Sequence, residues 1–238
     1  FPVFMFGLTT LAFFLFARKI FYKEDKIIRN IIALIATFLF VLIPSLLPRT
    51  IAGIPEKESA ALFFMFLAFY FFIEAFTCQK IRRGLIFGVL SGISTALMGL
   101  IWGGVLFIFL TIPAAIFFSF LLGKIDANKI YIYASWLVSS VVFMMPFSTR
   151  YSLANIIVSF STGSAISLFI LISLSYLIVN SKVVSRINEK IKLPKELTAV
   201  LVVLIVLIGL ILIIPKTRGV FYTNISEIRN SLIQPSES

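Results

Sequence analysis

Stretches of about 20 predominantly apolar residues return again and again along this chain, and their length matches the hydrocarbon core of a bilayer. The runs cover approximately 1–17, 30–48, 60–76, 84–101, 103–122, 129–146, 160–179 and 197–215. Their length and lack of alternation predict an all-α fold, a polytopic transmembrane helix bundle of about eight spans. The composition closes off the soluble alternative. Of the 238 residues 60% are hydrophobic, 27 are Phe and only 13% are charged. A chain this short cannot enclose so much apolar surface in one dry core. Secretory signals and transit peptides are short and single, so targeting does not account for apolar runs from end to end.

The charged residues lie between the runs, and their asymmetry orients them. A net charge of +11 could indicate nucleic acid, but the basic residues would then cluster with aromatics on an exposed face. Instead, 15 of the 21 Lys and Arg fall in 18–29, 77–83, 123–129 and 180–196, on one side of the alternation. The positive-inside rule makes that side cytoplasmic and puts 49–59, 102–104, 147–159 and 216–238 outside, together with both chain ends. Residues 1–215 are then a transmembrane bundle with an external acidic loop at 49–59, and 216–238 begin an external loop. A start at Phe1, already within an apolar run, predicts that a preceding segment belongs to a longer protein.

The chemical repertoire is narrow. No His excludes imidazole as base or metal ligand, and the single Cys78 excludes an internal disulfide. Polar chemistry rests on ten carboxylates, Lys, Arg and hydroxyls. Gly84, Gly88, Gly92 and Ala96 recur every fourth residue, which makes one helix face small enough for a neighbouring backbone to approach. Pro113 lies inside a span and is expected to kink it. Glu74, an acid inside an apolar run, lies close in sequence to Lys80, Arg82 and Arg83 and is expected to snorkel. Lys182 to Glu196 mixes both signs and reads as a solvated or headgroup-facing loop.

The most informative stretch is the expected external loop Pro48-Arg49-Thr50-Ile51-Ala52-Gly53-Ile54-Pro55-Glu56-Lys57-Glu58-Ser59. Two carboxylates at i and i+2 can converge in an extended loop, or offer one acid to a hard divalent cation and the other to a nearby partner, and an Arg on the same loop could clamp phosphate oxygens. The other reading is a helix start, since Pro followed by two acids suits the N-terminal end of a helix dipole. Composition alone leaves both open.

Arg49-Thr50-Ile51-Ala52-Gly53 followed by Glu56-Lys57-Glu58 resembles the second diacidic loop of the oligosaccharyltransferase catalytic subunit, a membrane glycosyltransferase of the GT-C class. Trp102-Gly103-Gly104, between two spans, is similar to that family's Trp-Gly-Gly turn. The family has thirteen spans, and a piece from the second to the ninth would have eight with both ends outside, so the resemblance covers nearly the whole chain. Two positions depart from the pattern: the first acid of the loop is usually Asp and here is Glu56, and Pro55 precedes it. The family's first diacidic motif would lie before residue 1. Its further catalytic Glu and Trp-Trp-Asp acceptor-binding domain would lie after residue 238.

The resemblance implies an enzyme that transfers an oligosaccharide from a polyisoprenyl phosphate or diphosphate carrier to Asn of Asn-x-Ser/Thr in an acceptor polypeptide, at the external membrane face. Lipid-linked oligosaccharide, acceptor polypeptide and membrane lipids are the implied partners, with no nucleic acid. Glu56 would ligate Mn²⁺ or Mg²⁺ and act in catalysis, Glu58 would be a second catalytic acid, and Arg49 would face the donor phosphate. Another GT-C enzyme using a polyprenyl-phosphate sugar, a transporter and a noncatalytic scaffold are the competing readings. A transporter should show a midplane polar site and internal repeats, and neither is evident. Asn224-Ile225-Ser226 is a sequon on the expected external side, and Asn224 is expected to remain mostly unmodified.

Overall fold

The computed structural model describes residues 2–43, 57–147, 151–191 and 193–213. Ten α-helices occupy them: α1 Pro2–Ile20, α2 Lys26–Val41, α3 Glu58–Thr77, α4 Ile81–Ile101, α5 Leu106–Leu121, α6 Ala127–Met144, α7 Leu153–Val158, α8 Phe160–Ile178, α9 Lys182–Ile191 and α10 Lys195–Ile213. No strand occurs among the described residues, so the protein is all-α. Each expected span overlaps a described helix, and residues 44–48 and 214–215 of these spans lie outside the described residues. Six described segments, built on α1, α3, α4, α5, α6 and α8, are long and apolar enough to cross a membrane. The remaining two expected spans coincide with α2 and α10.

The helix ends follow local chemistry. Asp126 caps α6 by accepting a hydrogen bond from the Lys129 amide at 2.9 Å. Gly123 ends α5 at φ 67°, a left-handed conformation that a side chain would strain. There the Gly123 amide donates to the Phe120 carbonyl at 2.8 Å and the Lys124 amide to the Ser119 carbonyl at 3.0 Å. Two carbonyls of the last turn are satisfied in this way, in the Schellman pattern. Pro113 lies buried inside α5, which continues through it from Leu106 to Leu121.

The chain divides into two compact units, Phe1–Phe169 and Ile170–Ser238. In the first, α4 is the most buried helix and packs between α3 and α6. Its small-residue ladder accounts for this. A Cβ on Gly88 would collide with the Ser135 hydroxyl, and a Cβ on Gly92 would meet the Ser139 hydroxyl and lie 2.6 Å from the Trp136 carbonyl. Gly84 faces Ile132 and Gly99 faces Met144, so α4 and α6 run parallel in register. On the opposite side the Ser91 hydroxyl donates to the Ala68 carbonyl of α3 at 2.8 Å, and Phe71 stacks on Phe87, which makes α3 and α4 antiparallel. Phe13 of α1 lies edge-on to Phe66 of α3 with centroids 4.9 Å apart, within a cluster that includes Phe40 of α2. The Phe content is therefore partly internal packing.

Two sequence readings gain detail. Glu74, expected to snorkel, forms an ion pair with Lys19 on α1. Because α1 and α3 run parallel, the last turns of both reach the same level, and that proximity is invisible in the linear sequence. The stretch 182–196, expected to be a loop, contains α9, with Val184 buried and Lys182 and Arg186 exposed. Its average hydropathy is low, but its apolar and basic residues segregate at helical period, as in an interfacial helix.

Candidate functional site

The helix directions gather specific segments at one end of the first unit. Since α3 is antiparallel to α4 and α4 is parallel to α6, the start of α3, the ends of α4 and α6, and the turn entering α5 share an end. The basic segments 18–29, 77–83 and 123–129 join helices at the other end.

At the first end Glu58 opens α3. Lys57 is the N-cap residue and Glu58 lies in the first turn, half-buried, where the helix dipole favours a carboxylate. Ser59 is buried and its carbonyl accepts a hydrogen bond from the Thr9 hydroxyl of α1 at 3.3 Å, which holds this first turn against α1. The helix-start reading therefore describes Glu58 correctly. A carboxylate on a rigid helix end is also a type of group that can ligate a hard cation. Glu56 and Arg49 lie outside the described residues, as does Asn224.

The Trp102-Gly103-Gly104 element is a sharp turn. Trp102 is extended, with φ −147° and ψ 141°, and its amide donates to the Met98 carbonyl at 2.8 Å to close α4. Gly103–Val105 form one 3₁₀ turn leading into α5. The Trp102 ring folds over Gly104 so closely that any Cβ there would collide with it. Glycine at 104 is thus a packing requirement of the indole. Beside this turn the Tyr151 hydroxyl donates to the Gly99 carbonyl at 2.7 Å, satisfying one of the orphan carbonyls of the last turn of α4.

A cavity of about 360 Å³ opens here, lined by Gly103, Val105, Tyr151, Asn155, Ser159 and Ser161 among others. Ser152 caps α7, accepting from the Asn155 amide at 3.4 Å, and the chain then turns at Ser159, where a Cβ on Gly163 would lie 2.5 Å from the Ile157 carbonyl. Tyr151, Asn155, Ser159 and Ser161 place polar groups on a wall that Val105, Ile156 and Val158 make largely apolar, the mixture common in sites for amphipathic ligands. Sequence reasoning had singled out none of these residues. The available signal was a run of Ser, Thr, Tyr and Asn between two spans on the same side as the acidic loop.

Among the described residues no three Asp, Glu, Cys or His side chains come together as a metal site. Among the described residues the carboxylate at this end is Glu58, while Cys78 follows the opposite end of α3. An oxygen-only donor set of this kind suits a hard divalent cation and not a thiolate-seeking one.

Comparison with curated proteins finds no match to this sequence. Comparison with family profiles matches residues 1–236 to the family described as Oligosaccharyl transferase STT3, N-terminal. The match embraces the acidic loop, the Trp-Gly-Gly turn and every membrane-length helix, as the resemblance in those short motifs had implied. An apolar all-α bundle with this match over nearly its whole length belongs to the STT3 oligosaccharyltransferase family, the membrane glycosyltransferases of protein N-glycosylation.

Proposed function

We propose that this chain supplies the donor side of an oligosaccharyltransferase centre on the extracytoplasmic face, transferring an oligosaccharide from a polyisoprenyl phosphate or diphosphate to Asn of an Asn-x-Ser/Thr acceptor. The observation that carries the reading is the placement of Glu58, the Trp102–Gly104 turn and a cavity of mixed polar and apolar lining at one end of the bundle, in a chain matched to the family over residues 1–236. The carrier's isoprenoid cannot leave the bilayer, so the reacting phosphate must sit at such a helix end.

The reaction forms a bond between the anomeric carbon of the glycan and the acceptor amide nitrogen, and breaks the bond from that carbon to the carrier phosphate oxygen. The amide loses one proton and the carrier leaves as a phosphate anion. Amide resonance makes that nitrogen a poor nucleophile, so carboxylates must take its hydrogens as hydrogen-bond donors. Glu56 would hold the Mn²⁺ or Mg²⁺ ion, which when bound offsets negative charge growing on the leaving phosphate, and Glu58 would be a second catalytic acid. Arg49 would donate to the same phosphate oxygens. The hydroxyl and amide wall at Tyr151, Asn155 and Ser159 would orient donor sugar or acceptor peptide.

The test is glycopeptide formation by the full-length protein with lipid-linked donor, acceptor peptide and Mn²⁺. Glu56→Gln preserves size while removing charge, and turnover should fall at least about tenfold. Glu58→Gln should lose as much or less. Unchanged turnover by Glu56→Gln at limiting Mn²⁺ would return the acidic loop to a purely structural role.

A further inference from the structure

The opposite end of the bundle holds a second built site. Arg18 and Lys19 on the last turns of α1, Arg29 on the first turn of α2, and Tyr70 and Glu74 on α3 surround a cavity of about 180 Å³, with Leu15 beneath them. Lys19 and Glu74 neutralise each other in an ion pair. Two guanidinium groups remain. The Nε atoms of both Arg18 and Arg29 are buried and have no hydrogen-bond partner, and neither side chain forms an ion pair among the described residues. Two like charges held near one cavity with buried donors unmet are unfavourable in an apolar setting. An anion with several acceptor oxygens removes both penalties.

We propose that this cavity is a binding site for the phosphate of an anionic lipid headgroup, distinct from the donor-phosphate centre at the other end. Arg18 and Arg29 supply the charge-assisted hydrogen bonds, and the Tyr70 hydroxyl is a further donor. A water molecule takes up roughly 30 Å³ of the liquid, so the space accommodates a five-atom phosphate. Position selects a lipid over a soluble ion. The cavity lies where α1 and α3 end and α2 begins, the level at which headgroups meet span termini. The flanking faces of α2 expose Ile27, Ile28 and Ile31, a surface for acyl chains beside Arg29. A surplus of two positive charges disfavours a zwitterionic headgroup, whose cationic end would be repelled.

The site is tested with full-length protein in nanodiscs containing phosphatidylcholine and a minor fraction of phosphatidylglycerol, with lipid retention read by native mass spectrometry. Wild type should retain phosphatidylglycerol selectively, and excess inorganic phosphate should not displace it. Arg18→Gln and Arg29→Gln should each weaken retention by about tenfold, the scale of one charge-assisted hydrogen bond. Glu74→Gln should move in the opposite direction, strengthening retention by about threefold, because it removes the one negative charge and frees Lys19. A purely structural role for the cluster predicts loss in all three variants, and that result overturns the proposal. Retention unchanged in an Arg18→Gln, Arg29→Gln double variant that melts like wild type overturns it as well. Complete displacement by inorganic phosphate assigns the cavity to a soluble anion and overturns the lipid assignment.

Discussion

The Trp136 indole Nε1 donates a hydrogen bond to the Thr95 hydroxyl at 3.0 Å across the interface of α4 and α6, with both residues fully buried. Thr95 in turn donates to the Ser91 carbonyl at 2.9 Å, so its single hydroxyl hydrogen is used and its oxygen still accepts from Trp136. Trp136 also packs against Phe72, Phe109 and Tyr133, which makes it the hub of the first unit.

Replacing Thr95 by Val keeps the shape and strands the indole N–H in an apolar interior. The expected cost is about 1 kcal/mol, within the range measured for hydrogen bonds between membrane helices. Thr95→Ser retains the acceptor and should cost less. Thermal unfolding of the two variants in one detergent, read by circular dichroism, orders them.

Glycine positions along the spans should divide sharply. Gly92→Leu forces α4 away from the Trp136 carbonyl and the Ser139 hydroxyl, and should destabilise by at least about 2 kcal/mol. Nothing lies within 4 Å of a Cβ built on Gly209 of α10, and Gly209→Ala should not destabilise, gaining up to about 1 kcal/mol from helix propensity. Equal melting temperatures for the two variants would contradict the close approach of α4 and α6.

Orientation can be measured at the two ends of α3, a helix of 20 residues that spans about 30 Å. Cys78 follows the end expected to be cytoplasmic, and Lys57 precedes the end expected to be external. In sealed right-side-out vesicles an impermeant maleimide should modify Lys57→Cys in a Cys78→Ser background and leave Cys78 of the wild type untouched. The reverse pattern would invert the topology and put the acidic loop on the wrong face for the proposed transfer.

Chelation should abolish glycopeptide formation by the full-length protein, and Mn²⁺ or Mg²⁺ should restore it. Glu56→Gln, lacking one anionic donor, should require more added Mn²⁺ for half-maximal turnover than wild type. Activity that persists through exhaustive chelation would remove the metal from the proposed chemistry.

The spans were legible in the sequence because insertion depends on local composition: a run of 20 apolar residues has one stable arrangement in hydrocarbon, whatever its neighbours do. The family was legible for a related reason, since Glu56-Lys57-Glu58 and Trp102-Gly103-Gly104 are short, contiguous signatures. The Gly84–Ala96 ladder likewise announced a close helix contact. Only the tertiary structure decided that its partner is α6, two helices on, where Ser135 and Ser139 leave matching room. It also paired Glu74 with Lys19 and turned Arg18 and Arg29, legible only as a topology signal, toward one cavity. It gathered Tyr151, Asn155 and Ser159 beside the Trp102 turn as well. Those facts depend on which helix faces meet, and a uniformly apolar helix carries almost no one-dimensional record of that choice. In lipid the hydrophobic effect does not select the inward face, so small residues and a few hydrogen bonds select it, and they act between segments far apart in the chain.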